Sequence, residues 1–569
     1  MRIRTQILLV SISIALTSLM GNQSVSAGTP WTPWVAPDRY DAGYLGVIVA
    51  DQVNSFEQFS RLESRKGGEA FTCTSTAGDC GNADSYIYNV ILGPCTSKVT
   101  DYCIDALAST NSNGKNFATF NSIIYPDHRN SFSGDSNYGL PDPSEPSIWS
   151  IPNAPHPHGD LYAVVSGLSG GFSRGGRFSN PSFYARLIPV YEVNANASTS
   201  ADQNGAYSYP SCWQRQQDGR NVVGCSGLNP QGVGPQHTPC VLMIGLVPNC
   251  YVEDVFPADT SFSLTLKLGT TINGWLHGRV SAPDVTIATD SAGGETINVT
   301  ATPVVVPIFA AGDSYSNLPS DLQNAYSSQI SLALAGGGFS RQYGPAYNPD
   351  PLLRNFTLAP PPYGDASIQV LTNWMQYAGN KSVSENPAWE IHSLSNTNTS
   401  SSNPCFTTNK GLVGLVSTNS TTYSDGPPAF QDGSLNYKVE SAHFTSTGNE
   451  FLGTYDLNLQ SEVARCLYNF GTSPLRASIS IVDANGQNQV ATTSFNEANG
   501  WINFSAKGFT FSAPTLKLRL IQDVSLAPTP EPSTVKPVAK KITITCVKGK
   551  SLRKVTSIKP KCPSGFKKR

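Results

Sequence analysis

Short segments in which apolar and polar residues alternate constrain the fold of this chain more than any other feature. Residues 262–268 read FSLTLKL, with an apolar residue at every second position. Successive side chains of a β-strand point to opposite faces, so this pattern is typical of a strand with one buried face. The sequence predicts further strands, separated by turn-forming residues, at 86–92, 161–165, 183–193, 296–309, 453–459, 477–482, 490–495 and 515–521.

The composition also favours β structure. Charged residues make up only 14% of the chain, and 23 Tyr and 24 Phe greatly outnumber 4 Met. We therefore expect a mainly β protein with tandem β-sandwich-like modules, a short helical insertion and a C-terminal basic β-hairpin. The expected segments are a signal peptide (1–27), an N-terminal β-rich domain (28–310), a connector with two helices (311–395), a C-terminal β-sandwich (396–526), a Pro-rich linker (527–541) and a basic disulfide-closed hairpin (542–569).

Two helices are predicted in the connector. Ser320 is a suitable N-cap for a helix over 321–335, which three glycines would end. Asp365 is a suitable N-cap for a second helix that would end before Gly379. Apolar residues at helical spacing on both segments indicate packing against the core.

The N-terminus predicts export. Arg2 and Arg4 precede an apolar run at 7–20, and the small residues at 25–27 suit cleavage after Ala27. An apolar run of this length is shorter than the ~20 residues that a spanning helix needs. We expect a secreted, extracellular and surface-associated protein with no transmembrane segment in the mature chain.

The cysteines indicate an oxidising compartment. The chain has 12, an even number, and no C-x-x-C motif suggests a zinc site. Pairing of sequence neighbours predicts six disulfides: Cys73 with Cys80, Cys95 with Cys103, Cys212 with Cys225, Cys240 with Cys250, Cys405 with Cys466, and Cys546 with Cys562.

The C-terminal end is strongly basic. Residues 536–569 contain twelve Lys or Arg and no acidic residue, whereas the whole chain has a formal net charge of −2. Two alternating segments, 542–548 and 552–558, flank a Gly-Lys-Ser turn and predict a hairpin. The predicted surface-attachment residues are Lys540, Lys541, Lys548, Lys550, Arg553, Lys554, Lys559, Lys561, Lys567, Lys568 and Arg569.

The expected partners of this tail are anionic cell-wall polymers or lipid headgroups, because cations near an anionic surface each contribute roughly 1 kcal/mol. The alternatives are a solvated basic end, recognition by export machinery, or nucleic acid bound without sequence specificity. No motif for specific nucleic-acid recognition occurs in the sequence.

The tail, ITITCVKGKSLRKVTSIKPKCPSGFKKR, resembles a Lys-rich two-cysteine ending that recurs on secreted proteins of actinobacteria. Residues 452–518, with VARCLYNF and NGWINFSAKGFTFSAPTLKL, and GWLHGRVSAPDV at 274–285 are similar to an uncharacterised family of exported actinobacterial proteins. The resemblance implies export and surface association. It implies no catalytic residues.

Two short motifs suggest chemistry. Residues 167–171 (GLSGG) fit the G-x-S-x-G pattern, but the following segment is a Gly-rich loop instead of the helix that a nucleophile elbow requires, so a plain turn explains them better. His156, His158 and Asp160 are weak metal-ligand candidates, because two imidazoles separated by one residue can share a side of a strand. The neighbouring prolines favour an irregular loop, and no metal or cofactor is expected.

Two function classes remain open. The first is a surface-associated β protein of structural, adhesive or glycan-binding role. The second is a polysaccharide-acting hydrolase attached in the same way, for which carboxylates such as Glu253, Asp254, Glu385 and Glu390 are available but cannot be paired from sequence. An acidic pair in a cleft with one raised pKa would favour the enzyme, and exposed aromatic residues alone would favour the binder.

Overall fold

The computed structural model describes the following parts of the chain: 44–49, 60–67, 69–78, 80–124, 132–178, 181–194, 212–217, 220–225, 240–243, 249–291, 293–324, 340–342, 356–358, 360–394, 403–407, 411–482, 491–511, 515–522 and 540–569. The predicted signal peptide and most of the Pro-rich linker lie outside these residues. So does most of the first predicted helix, of which residues 320–324 are helical.

The described residues are mainly in β-strands, as predicted. The strands of the first half of the chain are β1 (Tyr44–Val49), β2 (Arg61–Lys66), β3 (Glu69–Thr72), β4 (Ser85–Ile91), β5 (Cys103–Asn111), β6 (Gly114–Phe117), β7 (Thr119–Ile123), β8 (Ser147–Ser150), β9 (Leu161–Ser173), β10 (Ser182–Asn194), β11 (Cys212–Gln217), β12 (Arg220–Cys225), β13 (Cys240–Met243), β14 (Asn249–Glu253), β15 (Ser261–Leu268) and β16 (Gly274–Thr289). Those of the second half are β17 (Glu295–Ser314), β18 (Ser340–Gln342), β19 (Phe356–Leu358), β20 (Ser384–Ser393), β21 (Leu412–Thr418), β22 (Thr422–Tyr423), β23 (Ala429–Gln431), β24 (Ser434–Glu440), β25 (Gly453–Gln460), β26 (Leu475–Val482), β27 (Thr492–Ala498), β28 (Trp501–Phe509), β29 (Thr515–Gln522), β30 (Ile542–Lys548), β31 (Ser551–Ser557) and β32 (Lys567–Lys568).

Helices are short. Besides the helical residues 320–324, they are α1 (Asp365–Met375), α2 (Pro404–Thr407) and α3 (Ser461–Tyr468), with a 3₁₀ turn at Tyr315–Asn317. No helix among the described residues is long and apolar enough to cross a membrane. The chain forms two compact units: a body that ends at Ile521, and a smaller unit of Gly471–Arg476 with Gln522–Arg569.

A long central sheet organises the body. Its strands run in the order β3, β2, β4, β9, β10, β20, β16, β21, β25, β28 and β27. The β16–β21 pair is parallel, and the other neighbours in this series are antiparallel. Strands from the predicted N-terminal domain, connector and C-terminal sandwich are therefore hydrogen-bonded side by side.

A second layer of strands packs on the central sheet, and one strand, β16, belongs to both layers. The first half of β16 pairs with β20, and its second half pairs with β17 and leads to β15, β5 and β6. The change occurs at a bulge between Ser281 and Asp284, where Ala282 has a φ of 50°. Bulges bend strands in this way. The result is a β-sandwich with a continuous strand at one corner.

The main core lies between the two layers. Leu187, Trp389 and Ile391 of the central sheet belong to one buried cluster with the apolar face of β15, whose members are Phe262, Leu264, Leu266 and Leu268. The indole N–H of Trp389 donates to the carbonyl oxygen of Ala301 at 3.0 Å. The apolar residues whose alternation predicted β15 therefore face the core, as expected for a strand with one buried face.

Helix α1 confirms the second predicted helix with a different start. Its N-cap is Gly364, with a φ of 98°, and Asp365 occupies the first turn. A carboxylate at that position is still favoured by the partial positive charge of the helix N-terminus. Leu371, Trp374 and Met375 of α1 are buried in a second cluster with β1 and β17.

Four predicted disulfides are confirmed: Cys73–Cys80, Cys95–Cys103, Cys405–Cys466 and Cys546–Cys562. The side chains of the other two predicted pairs, Cys212 with Cys225 and Cys240 with Cys250, lie outside the described part of the chain. The backbone of Cys212 faces that of Cys225 across the β11–β12 pair.

Candidate functional site

The C-terminal hairpin is a three-stranded sheet whose centre is β30. This strand pairs antiparallel with both β31 and β32. Gly549 forms the turn with a φ of 58°, a conformation that glycine adopts without strain. A hairpin alone is marginal in water, and the disulfide between Cys546 and Cys562 closes this one.

All of the predicted attachment residues are exposed. The module carries no acidic side chain over residues 540–569. The cations therefore have no side-chain counterion within the hairpin, and its electrostatic field has one sign. The exposed cations are Lys540, Lys541, Lys548, Lys550, Arg553, Lys554, Lys559, Lys561, Lys567, Lys568 and Arg569.

The two faces of the hairpin differ. On one face Cys546 is fully buried and Ile544 is 9% exposed, and the disulfide places Cys562 on this side. Residues opposite each other across paired strands share a face. The other face, which we call the open face, consists of half-buried and exposed residues: Thr543, Thr545, Val547, Leu552, Lys554, Thr556 and Lys567.

The body contains a second concentration of charge, on one face of the central sheet. It arises where four neighbouring strands, β14, β10, β20 and β16, each contribute charged or titratable side chains. We call it the sheet polar cluster: Arg186, Glu253, His277, Arg279, Glu390 and His392. Glu390 lies opposite Arg186 on one side and Arg279 on the other.

Charges alternate along this row. The Nη2 atom of Arg186 lies 3.4 Å from both carboxylate oxygens of Glu253. Nδ1 of His392 lies 3.4 Å from Oε1 of Glu390. Arg186, Arg279 and Glu390 are all at least 95% buried. Burying charges is costly unless opposite charges compensate them, and the alternation supplies that compensation.

An aromatic ring covers part of the cluster. Tyr423 stacks on His277 with ring centroids 3.7 Å apart and planes 4° from parallel. The guanidinium carbon of Arg279 lies 4.6 Å from the centroid of the same ring, a cation–π distance. Arg279 also donates from Nη1 to the carbonyl oxygens of Thr418 and Ser420 at 3.0 and 2.7 Å.

These surroundings shift two pKa values. Burial raises the pKa of Glu253, the Arg186 guanidinium opposes this rise, and the nearby Glu390 carboxylate adds to it. Burial, together with Arg279 and His392, holds the pKa of His277 well below its usual value. His277 is therefore neutral, and neither of its ring nitrogens has a hydrogen-bond partner among the described residues.

This arrangement can hold and release a proton. A carboxyl group whose pKa is raised, next to a second carboxylate, is one combination that acid–base catalysis uses. Solvent reaches the cluster at two points, where the side chains of His392 and Glu253 are 20% and 16% exposed. Glu390, by contrast, is 2% exposed.

The weak metal-ligand candidates lie outside the sheet polar cluster. Oδ2 of Asp254 lies 2.7 Å from Nδ1 of His156 and 2.9 Å from Nδ1 of His158. Nε2 of His156 faces the carbonyl oxygen of Leu161 at 3.0 Å, so neither ring nitrogen of His156 is available to a metal. Asp160 instead accepts a hydrogen bond from Ser150. No group of three or more His, Cys, Asp or Glu suited to a metal ion occurs in the described ranges.

The G-x-S-x-G residues are part of a strand. Residues 167–171 lie in the middle of β9, so they form neither a nucleophile elbow nor the turn that we expected. The glycines make room for rings: a Cβ on Gly170 would lie 2.6 Å from the hydroxyl oxygen of Tyr88, and one on Gly167 would overlap the hydroxyl of Tyr184. The pattern therefore reflects packing between β4, β9 and β10.

Every tryptophan whose side chain the structure describes is buried. None of these rings therefore presents a face on which a sugar ring could stack. They are Trp149, Trp275, Trp374, Trp389 and Trp501. The exposed rings are smaller and belong to Phe71, Phe117, Phe120, Tyr363 and Phe444. Phe117 is 66% exposed, and the ammonium of Lys115 lies 5.2 Å from its centroid.

Sequence reasoning named Glu253 and Glu390 without pairing them, and it missed Arg186 and Arg279. No signal joins these residues before the strand order is known, because the cluster is made by β10, β14, β16 and β20 lying side by side. Comparison of the chain with protein-family models, curated proteins and solved structures finds no match.

Proposed function

We propose that this protein is exported and held to the cell envelope by its C-terminal hairpin, while its β body has a structural, adhesive or glycan-binding role. The observation that carries the proposal is the hairpin itself. It presents eleven exposed cations and no acidic side chain on a disulfide-closed sheet. The ligands that match this surface are anionic wall polymers or lipid headgroups.

The covalent closure of the hairpin supports attachment over a merely solvated tail. A basic tail that only aids solubility needs no fixed conformation. Here the disulfide fixes the cations on a small sheet, so less conformational entropy is lost when they bind an anionic surface.

The test is cosedimentation of the mature protein with isolated cell envelopes at low and high salt. We expect salt-sensitive binding that deletion of Ile542–Arg569 abolishes, because exposed charges are screened by salt. Replacing Lys550, Lys554 and Lys567 by Gln should weaken binding at least about tenfold, at roughly 1 kcal/mol per charge.

A matched control removes three exposed lysines of the body, Lys98, Lys507 and Lys517, and should leave binding unchanged. Binding of the tail-deleted body at high salt would contradict attachment through the hairpin. It would show instead that the body recognises the envelope itself.

The sheet polar cluster favours a second candidate function, a hydrolase that acts on polysaccharide. Among the carboxyl groups with shifted pKa values in the described residues, Glu253 is the one whose pKa is raised by burial and, in addition, by a second carboxylate. Glycosidases use such a pair, with the carboxyl group of raised pKa as general acid. In this candidate Glu253 is the acid and Glu390 is the second carboxylate.

Release of reducing ends from isolated wall polysaccharide tests this candidate. We expect Glu253→Gln to lower the rate by about 10² to 10⁴, and the wild-type rate to fall as pH rises through the pKa of Glu253. Glu295→Gln is the matched control, since Glu295 is also buried, its pKa is also raised by burial, and it lies outside the cluster. No release by the wild type, or full activity of Glu253→Gln, would exclude the hydrolase.

A further inference from the structure

We infer that the open face of the hairpin docks on an anionic phospholipid surface, with Leu552 and Val547 entering the headgroup region between lysines. This inference rests on the proposed attachment through the hairpin and names its ligand. It concerns the two apolar side chains of the open face, which attachment by charge alone leaves unexplained.

The apolar part of the open face lies next to the turn. Val547 and Leu552 are opposite each other on β30 and β31. Leu552 is 58% exposed, and Val547 is half-buried. Each apolar group left in water forgoes the free energy that burial would supply.

Cations surround this apolar pair. Lys567 lies opposite Val547 on the other side of β30, and Lys554 is two residues from Leu552 on the same face. Lys550 occupies the turn beside them and is exposed. Lysine can lay its aliphatic stem along an apolar surface while its ammonium group reaches outward to a phosphate.

The rest of the open face is made of small side chains. Thr543 and Thr556 are opposite each other, with their hydroxyl oxygens 2.7 Å apart, and Thr545 lies opposite Lys554. These threonine side chains are therefore shorter than that of Leu552 and do not extend beyond it on this face.

A phospholipid interface matches this layout better than a wall polymer does. A soluble polyanion offers charge to the lysines and no apolar layer to Leu552. An anionic bilayer offers both, with phosphates above hydrocarbon, and peripheral modules bind there through apolar burial combined with electrostatic attraction. The lysines and the apolar pair of the open face then share one ligand.

Flotation of the full mature chain with vesicles tests the inference. The probes are phosphatidylcholine vesicles with and without phosphatidylglycerol, each in the presence and absence of soluble polyphosphate. We expect binding that requires phosphatidylglycerol and that Leu552→Thr weakens about tenfold, as loss of a buried leucine predicts. Polyphosphate should compete only in part.

The hairpin offers a matched control. Ile542 is 57% exposed, close to the 58% of Leu552, but alternation places it on the opposite face. Ile542→Thr should therefore bind vesicles as the wild type does. Closure of the disulfide, checked by thiol labelling, shows that each variant keeps its fold.

A second variant reports directly how deeply the side chain at position 552 enters the bilayer. Leu552→Trp should bind at least as tightly as the wild type, because Trp favours the bilayer interface, and brominated lipids should quench its added fluorescence. Equal binding by Leu552→Thr and the wild type, or no quenching at position 552, would overturn the inference. The proposed attachment would survive that result if deletion of the hairpin still released the protein from envelopes.

Discussion

Asp254 shows how one buried carboxylate can fix a surface loop. Its Oδ2 atom accepts from the backbone N–H of His158 at 3.0 Å and lies within hydrogen-bonding distance of the rings of His156 and His158. Burial raises the pKa of Asp254, but hydrogen bonds from His158, from the backbone N–H of Val255 and from His156 outweigh burial and leave it lowered. The carboxylate thus ties the loop between β8 and β9 to the end of β14.

This network predicts a pH-dependent effect of Asp254→Asn. An amide leaves the histidine donors poorly matched, so we expect a loss of about 1.5 to 3 kcal/mol in the free energy of unfolding at neutral pH. A lowered folded-state pKa gives stability that is present above the unfolded value of about 3.9 and is lost as pH falls through the folded value. The difference from wild type should therefore shrink in acid.

Urea unfolding at neutral pH and near pH 3 measures this difference. Asp160→Asn serves as the control, because Asp160 lies in the same loop and accepts one hydrogen bond from a side chain, that of Ser150. A constant difference between Asp254→Asn and wild type at both pH values would show that the charge of Asp254 does not stabilise the loop.

The sequence identified several of these residues but not their partners. His156 and His158 were conspicuous as an H-x-H motif, yet their common acceptor, Asp254, lies about a hundred positions further along the chain. Glu253 and Glu390 were visible as carboxylates, but only the strand order brings Arg186 between them. Residue types can be read from a sequence, whereas these contacts depend on pairings that it does not display.

At the level of elements, two short helices are tied by the longest disulfide loop. Cys405 lies in α2 and Cys466 in α3, with a sequence separation of 61. Helix α3 is only eight residues long, so the sequence shows no helical pattern there. Val463, Ala464 and Leu467 of α3 are buried, so the helix is anchored by packing as well as by the bridge.

Opening this bridge should destabilise the body. The chain-entropy account gives about 4 kcal/mol for a loop of this length, so we expect Cys405→Ser/Cys466→Ser to lose roughly that much free energy of unfolding in urea. Cys546→Ser/Cys562→Ser is the control, because this pair belongs to the second compact unit. If the control lowered the body's unfolding midpoint by as much, the two units would not unfold independently.

Strands were predicted more reliably than their limits. Residues 262–268, 453–459 and 515–521 all lie in strands, because alternation reports a buried face directly. Strand β9 continues to Ser173, beyond its predicted end, since the glycines after Val165 serve ring packing instead of a turn. Because glycine is uncommon inside strands, the sequence pattern did not predict the second half of β9.

For the whole molecule, the mainly β class followed from composition and alternation, but the sheet order did not. Strand β16 continues through a bulge from the central sheet into the second layer. Its parallel partner β21 and its antiparallel partner β20 come from segments that looked separate in the sequence. Such pairings depend on how buried faces fit together in three dimensions, which a local pattern does not encode.

The pairing of β1 with β17 has a consequence for the order in which the chain acquires structure. Tyr44 lies opposite Ser314, so the first described strand has no antiparallel partner until some 270 further residues are available. Contacts between residues so far apart in sequence close large loops and slow the search for the native state. Strand β1 therefore cannot pair with β17 before the chain has been synthesised as far as Ser314.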